Sequence, residues 1–300
     1  MHALGDYQEN WAARAIWNAP PAALPAEDGL AAVPIYTAPM ATYAFSNGSL
    51  THQVSPLALA TIGNSVRENF AEDSALARDN WWNQHGTWWN PYWGSGWPWG
   101  GEDLWSALAS WWHLPANVDP VEYDYGNNIV YQGTRVTTGA YGNELIASST
   151  DYYTQAENLA NYGVETSASI HNLAVAKSVF PTKDGWRPLG VYSLVQDDQT
   201  HSTRMFQLAV NQAGQIRGNS YDVLKQLTEP VFGHVDKQNM RAAWTVGNNR
   251  TVVYDTGVGN LLQNQSPILI HLSKEKTEQL SLVRMQEPGK ETPSSAPPVS

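Results

Sequence analysis

The sequence predicts an α+β protein, mainly β, in which residues 184–286 form an antiparallel up-and-down β-barrel of about eight strands. A Trp-rich loop and helical region precedes the barrel. Two observations carry this expectation. From Trp186 to Met285 the apolar residues recur with a period of two, as half-buried strands require. Short turn signals (Asp197-Asp198, Ala213-Gly214, Gly247-Asn248-Asn249 and Gln263-Asn264-Gln265) divide that stretch into strands of similar length. Regular short strands with no long connections suit a closed barrel, because closure removes exposed edges.

Residues 1–63 are rich in Ala and Pro, with Pro20, Pro21, Pro25, Pro34, Pro39 and Pro56. Prolines remove backbone donors and break helices. The stretch therefore reads as an extended connector with one short helix over about 8–18, where Trp11, Ala15 and Ile16 share a face. Residues 64–183 read as helix, Trp-rich loop, short strands and helices. A helix is expected over 64–82, with Ser65 and Glu68 in capping-box spacing. Ten of the 14 Trp then fall between Trp81 and Trp112, interleaved with Gly86, Gly94, Gly96, Gly100, Pro91 and Pro98. Glycine and proline interrupt regular structure, which predicts a loop folded on its own indoles up to a short helix over 102–113.

Strands and turns are expected over 119–146. A helix follows over 149–161, stopped by Gly163, and another over 166–179. Within the barrel, Phe206, Leu208 and Val210 alternate with Met205, Gln207 and Ala209. Ala242, Trp244 and Val246, then Ile268 and Ile270, then Leu280, Leu282 and Arg284, follow the same rule. The inward set holds Phe206, Trp244, Ile268 and Ile270, large residues that predict a filled interior. The tail over 287–300 is Pro/Ser-rich and expected to be disordered.

Composition excludes several function classes. There is no Cys, so disulfides, thiolate metal sites and cysteine nucleophiles are ruled out. The net charge is −11, and residues 1–130 hold 13 acids against three bases, a balance that disfavours nucleic acid as a partner. No apolar run reaches the roughly 18 residues of a membrane-spanning helix. The first residues, Met1-His2-Ala3-Leu4-Gly5-Asp6, lack the basic and apolar regions of a signal peptide.

Three stretches carry a resemblance: Tyr123-Asp124-Tyr125-Gly126-Asn127-Asn128-Ile129-Val130-Tyr131-Gln132-Gly133, Trp186-Arg187-Pro188-Leu189-Gly190-Val191-Tyr192, and Val235-Asp236-Lys237-Gln238 with Arg241-Ala242-Ala243-Trp244-Thr245-Val246-Gly247. Over roughly residues 65–286 the chain is similar to a family of bacterial extracytoplasmic proteins labelled mu-protocadherin, cell-surface protein. The resemblance implies a protein at the cell surface or in the periplasm, exported by a leader that lies outside this chain, and it implies no activity. The chain departs from the family pattern at its N-terminus and by an added segment at about 163–183.

The candidate chemistry is sparse. Trp88, Trp89, Trp93, Trp97 and Trp99 are the candidate binding residues, because indole faces stack on the apolar faces of sugar rings. The competing reading is that the indoles pack as a small core. Asp119, Glu122 and Asp124 lie close together but do not follow a calcium-loop pattern, so a solvated acidic turn is expected. His234 and His271 are expected at half-exposed strand positions, and His85 and His113 flank the Trp-rich stretch; none has metal-ligand spacing. Counting alone leaves a Ser–His–Asp set open, but no Gly-x-Ser-x-Gly elbow is present. No catalytic residue, metal or cofactor is expected. The functional expectation is a non-enzymatic envelope or surface protein of structural or adhesive role, with envelope polysaccharide or another surface protein as partner. The alternative is a barrel that binds a small ligand or carbohydrate.

Overall fold

A computed structural model describes residues 42–46, 49–54, 56–73, 104–115, 118–125, 128–132, 134–138, 144–168, 185–196, 201–202 and 204–285. The expected helix over 8–18, the loop from Trp81 to Trp99, nearly all of the helix over 166–179 and the tail lie outside the described residues.

The described residues between 185 and 285 form the expected barrel. Its strands are β6 (Trp186–Val195), β7 (Arg204–Asn211), β8 (Gln215–Asp222), β9 (Leu227–Asp236), β10 (Arg241–Val246), β11 (Asn249–Gly257), β12 (Gln265–His271) and β13 (Thr277–Arg284). Each pairs antiparallel with the next, and β13 pairs with β6 to close the cylinder. In that last ladder Ser281 faces Val195 and Arg284 faces Tyr192.

Closure turns one face of every strand inward. Leu194, Phe206, Leu208, Val210, Ile216, Val231, Val235, Ala242, Trp244, Val246, Tyr254, Ile268, Ile270 and Leu282 form one cluster there, as the alternation requires. Aromatic rings occupy its middle. Trp244 stacks on Tyr254 at 5.9 Å, and Phe206 meets both edge-on at 5.7 and 5.0 Å. Such pairs contribute about 0.5–1.5 kcal/mol each beyond the area they bury. Gly233 lies directly opposite Trp244, and a Cβ there would sit 2.5 Å from that of Trp244. The small residue makes room for the large one.

One barrel end is plugged. Helix α2 (Leu104–Trp111) places Leu108 and Trp112 in the interior cluster, with Leu104, Trp105 and Trp111 packed against it. Trp112 donates to the carbonyl of Asn211 at 3.2 Å, and Trp105 to that of Val118 at 3.0 Å. The guanidinium of Arg187 lies over the Trp111 ring at 5.3 Å. These three indoles of the Trp-rich stretch pack as core. The helix stops because His113 turns left-handed (φ 58°), which lets the amide of Leu114 reach the Ala109 carbonyl and that of His113 reach Ser110. Helix α4 (Val258–Leu262) closes the same end, burying Val258 and Leu261.

The outer wall is also covered. Helix α1 (Pro56–Asp73) sets Ile62 and Val66 against Val191, Val195, Met205, Ala209 and Val283. Helix α3 (Ser149–Ala168) lays Tyr153, Ala156, Leu159 and Ala160 on Ala243 and Val253. A three-stranded sheet of β3 (Ile129–Gln132), β4 (Arg135–Thr138) and β5 (Glu144–Ser148), with the preceding strap 118–125, packs through Tyr123 and Tyr125 against Leu269. Outward residues such as Met205 and Ala209 are thus buried as well. None of the described helices is long and apolar enough to cross a membrane.

Three expectations are corrected. A hairpin of β1 (Thr42–Ser46) and β2 (Ser49–Val54) lies in the stretch read as connector. Helix α1 begins at Pro56 rather than at 64, because proline is compatible with a first helical position. Helix α3 runs through Gly163 to Ala168. That glycine is not a stop: a Cβ there would lie 2.0 Å from the Gly233 carbonyl oxygen, so two backbones touch.

Replacing Trp244 by Ala empties the middle of the barrel. It is expected to cost about 3–5 kcal/mol, read as a fall in the urea midpoint of unfolding.

Candidate functional site

The densest set of polar groups lies on the outer wall, under α3. Strand alternation brings Arg241 of β10, Asp255 of β11 and His271 of β12 to that wall, and the first turns of α3 cover them. Asp255 and His271 are fully buried and Arg241 nearly so. The sequence expectation of half-exposed strand histidines is therefore corrected for His271 and also for His234, which is buried on β9. Alternation signalled an outward position, and the helix laid over that face turned outward into buried.

Arg241 grips Asp255 with two parallel bonds, Nε to Oδ1 at 2.8 Å and Nη2 to Oδ2 at 2.6 Å. Its remaining donors reach α3, at the Tyr152 carbonyl (3.1 Å) and Gln155 Oε1 (3.2 Å). The guanidinium lies 3.7 Å over the Tyr152 ring. His271 Nε2 lies 3.1 Å from Asp255 Oδ2, and its Nδ1 lies 2.8 Å from Thr277 Oγ1. A neutral ring protonated on Nε2 satisfies both: it donates to the carboxylate and accepts from the hydroxyl. The rings of Tyr153 and Tyr152 close over it at 5.7 and 6.3 Å. Tyr125 donates to the Asp255 carbonyl at 3.1 Å.

The electrostatics agree with a charged pair beside a neutral imidazole. Burial alone pushes the Asp255 carboxyl up, but the Arg241 charge and bonds, with His271, outweigh it and hold it below its ordinary value. Burial pulls Arg241 down, and Asp255 more than compensates. Burial lowers His271, with Asp255 opposing and Arg241 adding to the effect.

Thr277, His271 and Asp255 form a hydroxyl–imidazole–carboxylate chain, the order used in nucleophilic catalysis. Here the imidazole is sealed under two tyrosines, and the carboxylate is already held by Arg241. The arrangement ties α3 to the wall.

The acidic turn is likewise structural, and the expectation that it is solvated is corrected for Asp124, which is buried. Burial pushes the Glu122 carboxyl up, while a bond from Gln263 Nε2 at 2.6 Å opposes the shift. The strap 121–125 is pinned by Asn260 of α4, whose amide accepts from the Tyr123 N–H (2.7 Å) and donates to the Tyr123 carbonyl (3.0 Å). Among the described residues no group of three His, Asp or Glu side chains is placed to hold a metal ion. Trp88, Trp89, Trp93, Trp97 and Trp99 lie outside the described residues. Sequence reasoning missed the Arg241–Asp255–His271 set; its signal was three charged or ionisable residues at outward positions of successive strands.

The barrel end opposite α2 holds a second ionic group. Arg204 donates to Ser220 Oγ at 3.0 Å and to Asp222 Oδ2 at 3.3 Å, and Lys225 reaches the same carboxylate at 3.1 Å. The hairpin tip beside it leaves Leu224 and Leu227 exposed.

No family model, curated protein or solved structure matches this chain.

Removing the cation tests the reading of the buried pair. Arg241→Met strands the Asp255 charge and is expected to cost about 3–5 kcal/mol at neutral pH. In the native protein the Asp255 carboxyl sits below its unfolded value, so its contribution is present above about pH 4 and fades as pH falls through the folded pKa. In the variant burial is unopposed by Arg241, the shift reverses, and the penalty shrinks on acidification. Urea melts at several pH values distinguish the two slopes. A milder loss of about 1–3 kcal/mol is expected for Asn260→Ala, with faster proteolysis of the strap at 118–125.

Proposed function

We propose that this protein is a non-enzymatic structural or adhesion protein of the cell envelope, located outside the cytoplasm and acting through its outer surface. The observation that carries the reading is the use made of the barrel interior. Trp244, Phe206 and Tyr254 fill its centre, and α2 plugs one end with Leu108 and Trp112. An eight-stranded barrel has room for side chains or for one small ligand, and here side chains take the space. The chain of groups best suited to catalysis, Thr277–His271–Asp255, serves to fasten α3. The resemblance to bacterial cell-surface proteins supports the compartment. Envelope polysaccharide or another surface protein is the partner of this reading, with Trp88, Trp89, Trp93, Trp97 and Trp99 as the contact residues.

A second reading, a barrel that binds a small ligand or carbohydrate, is favoured by one detail. The Nε1–H of Trp244 is buried in the interior with no hydrogen-bond partner, as is the hydroxyl of Ser266. Buried orphan donors cost free energy unless something accepts from them.

Fractionation of the native host tests the first reading: the protein is expected in the periplasmic or surface fraction, and a purely cytosolic pool overturns it. Sedimentation with insoluble envelope polysaccharide then tests the partner. Trp93→Ala and Trp97→Ala are expected to reduce retention at least severalfold with unchanged thermal stability. Equal loss of stability and binding would assign those indoles to packing instead.

A further inference from the structure

The second half of α3 is seated differently from the first. Its backbone touches the barrel directly, Gly163 against the Gly233 carbonyl. Arg217 of β8 donates to the Gly163 carbonyl at 2.8 Å, and its guanidinium lies 5.4 Å over the Phe232 ring. His234 of β9 sits beside this contact, its ring edge-on to Tyr162 of α3 at 4.8 Å. Whereas His271 faces a carboxylate, His234 has two cations near it, Arg217 from β8 and Lys237 from the turn after β9, which act against a charged ring, while backbone hydrogen bonds at Val235 and at Ala213 in the turn before β8 favour one. Gln215 and Ala243 are its neighbours across the two ladders. Asp236, on the same strand face, accepts from the Gln238 amide at 2.9 Å. The acids of α3 with described side chains are engaged nearer its start, Asp151 with Ser148 and Glu157 with Tyr153.

We propose that the second half of α3 is an acid-released clamp: protonation of His234 lifts it from the barrel wall while the barrel stays closed. A charged imidazole there would sit against Tyr162, largely buried and with two cations nearby. Moving the helix hydrates it without breaking a ladder, because β9 is paired on both sides whereas the described contacts of the second half of α3 are side-chain contacts and the approach of Gly163 to Gly233. The first half of α3, fixed by Arg241 and Asp255, acts as the hinge.

The sign follows from burial. Burial pushes the ring down to about 4 while the helix is seated, against an ordinary value of 6.5. Above pH 6.5 both states are neutral and the clamp is closed. As pH falls below 6.5 the released state takes the proton first, and the open fraction rises until about pH 4, where it levels. Over that interval the opening constant grows by at most on the order of a hundredfold, because Arg217 and Lys237 stay beside the released ring.

Hydrogen exchange of the full chain between pH 7 and pH 4, corrected for intrinsic rates, tests the clamp. Peptides covering 156–163 are expected to lose protection severalfold and at most about a hundredfold, while β12 and β13 keep theirs. His234→Phe keeps a ring against Tyr162 but takes no proton, and its helix is expected to stay protected throughout. Loss of protection in His234→Phe matching the native protein overturns the proposal, as does simultaneous loss in helix and barrel. If that variant does not fold, the ring resonance of His234 in the native protein decides. Titration near pH 4, with helix exposure already rising below pH 6.5, supports the clamp; titration near 6.5 with the helix still protected overturns it.

Discussion

Closing eight strands into a cylinder leaves an interior only as wide as the side chains that fill it. That constraint organises the whole molecule. Every strand must present apolar bulk to one side, and bulk on one strand must meet smallness on the next. Trp244 faces Gly233 across the ladder, and Ala242 lies two residues away on the same inner face. Packing at this density leaves little slack, so volume errors at the centre are felt directly. With the interior taken up by packing, the outer wall and the ends carry the remaining side chains.

The outside is held by a different kind of force. An apolar wall alone would let a helix slide, since dispersion is not directional. The Arg241–Asp255 fork, with a third donor on the Tyr152 carbonyl, fixes where α3 starts. Gly163 against Gly233 fixes how close it sits. Buried ion pairs contribute little net stability compared with apolar isosteres. Their contribution here is positional, because a one-residue shift of α3 would leave charged groups buried without partners.

Strand alternation made the barrel legible, since period two survives in a single sequence and inward residues such as Phe206, Trp244 and Ile268 declare themselves. The cover was less legible. Met205, Ala209 and Ala243 read as ordinary outward positions, and only the presence of α1 and α3 buries them. His271 looked like a half-exposed strand residue for the same reason: burial was imposed by an element more than 80 positions away, from α3 (Ser149–Ala168) to β11 and β12. Gly163 shows the limit of local rules. A glycine near a helix end signals a stop, yet here it answers a tertiary contact with Gly233. Of the indoles, Trp105, Trp111 and Trp112 pack on the core, which the helix read over 102–113 suggested but did not locate.

The order of the chain has a consequence for biogenesis. The plug, α2, leaves the ribosome before any barrel strand, and β6 must wait for β13, its partner in the closing ladder. Until then Trp112 and Leu108 have no cavity to enter, and the growing sheet carries two unpaired edges. Nascent chains of this kind are slow to mature and prone to stick to one another. A chain cut short before Thr277 would keep both edges permanently. The final strand is thus also the stopper that ends the molecule's vulnerable period, which makes the interval between synthesis of β6 and β13 the time when a chaperone has most to do.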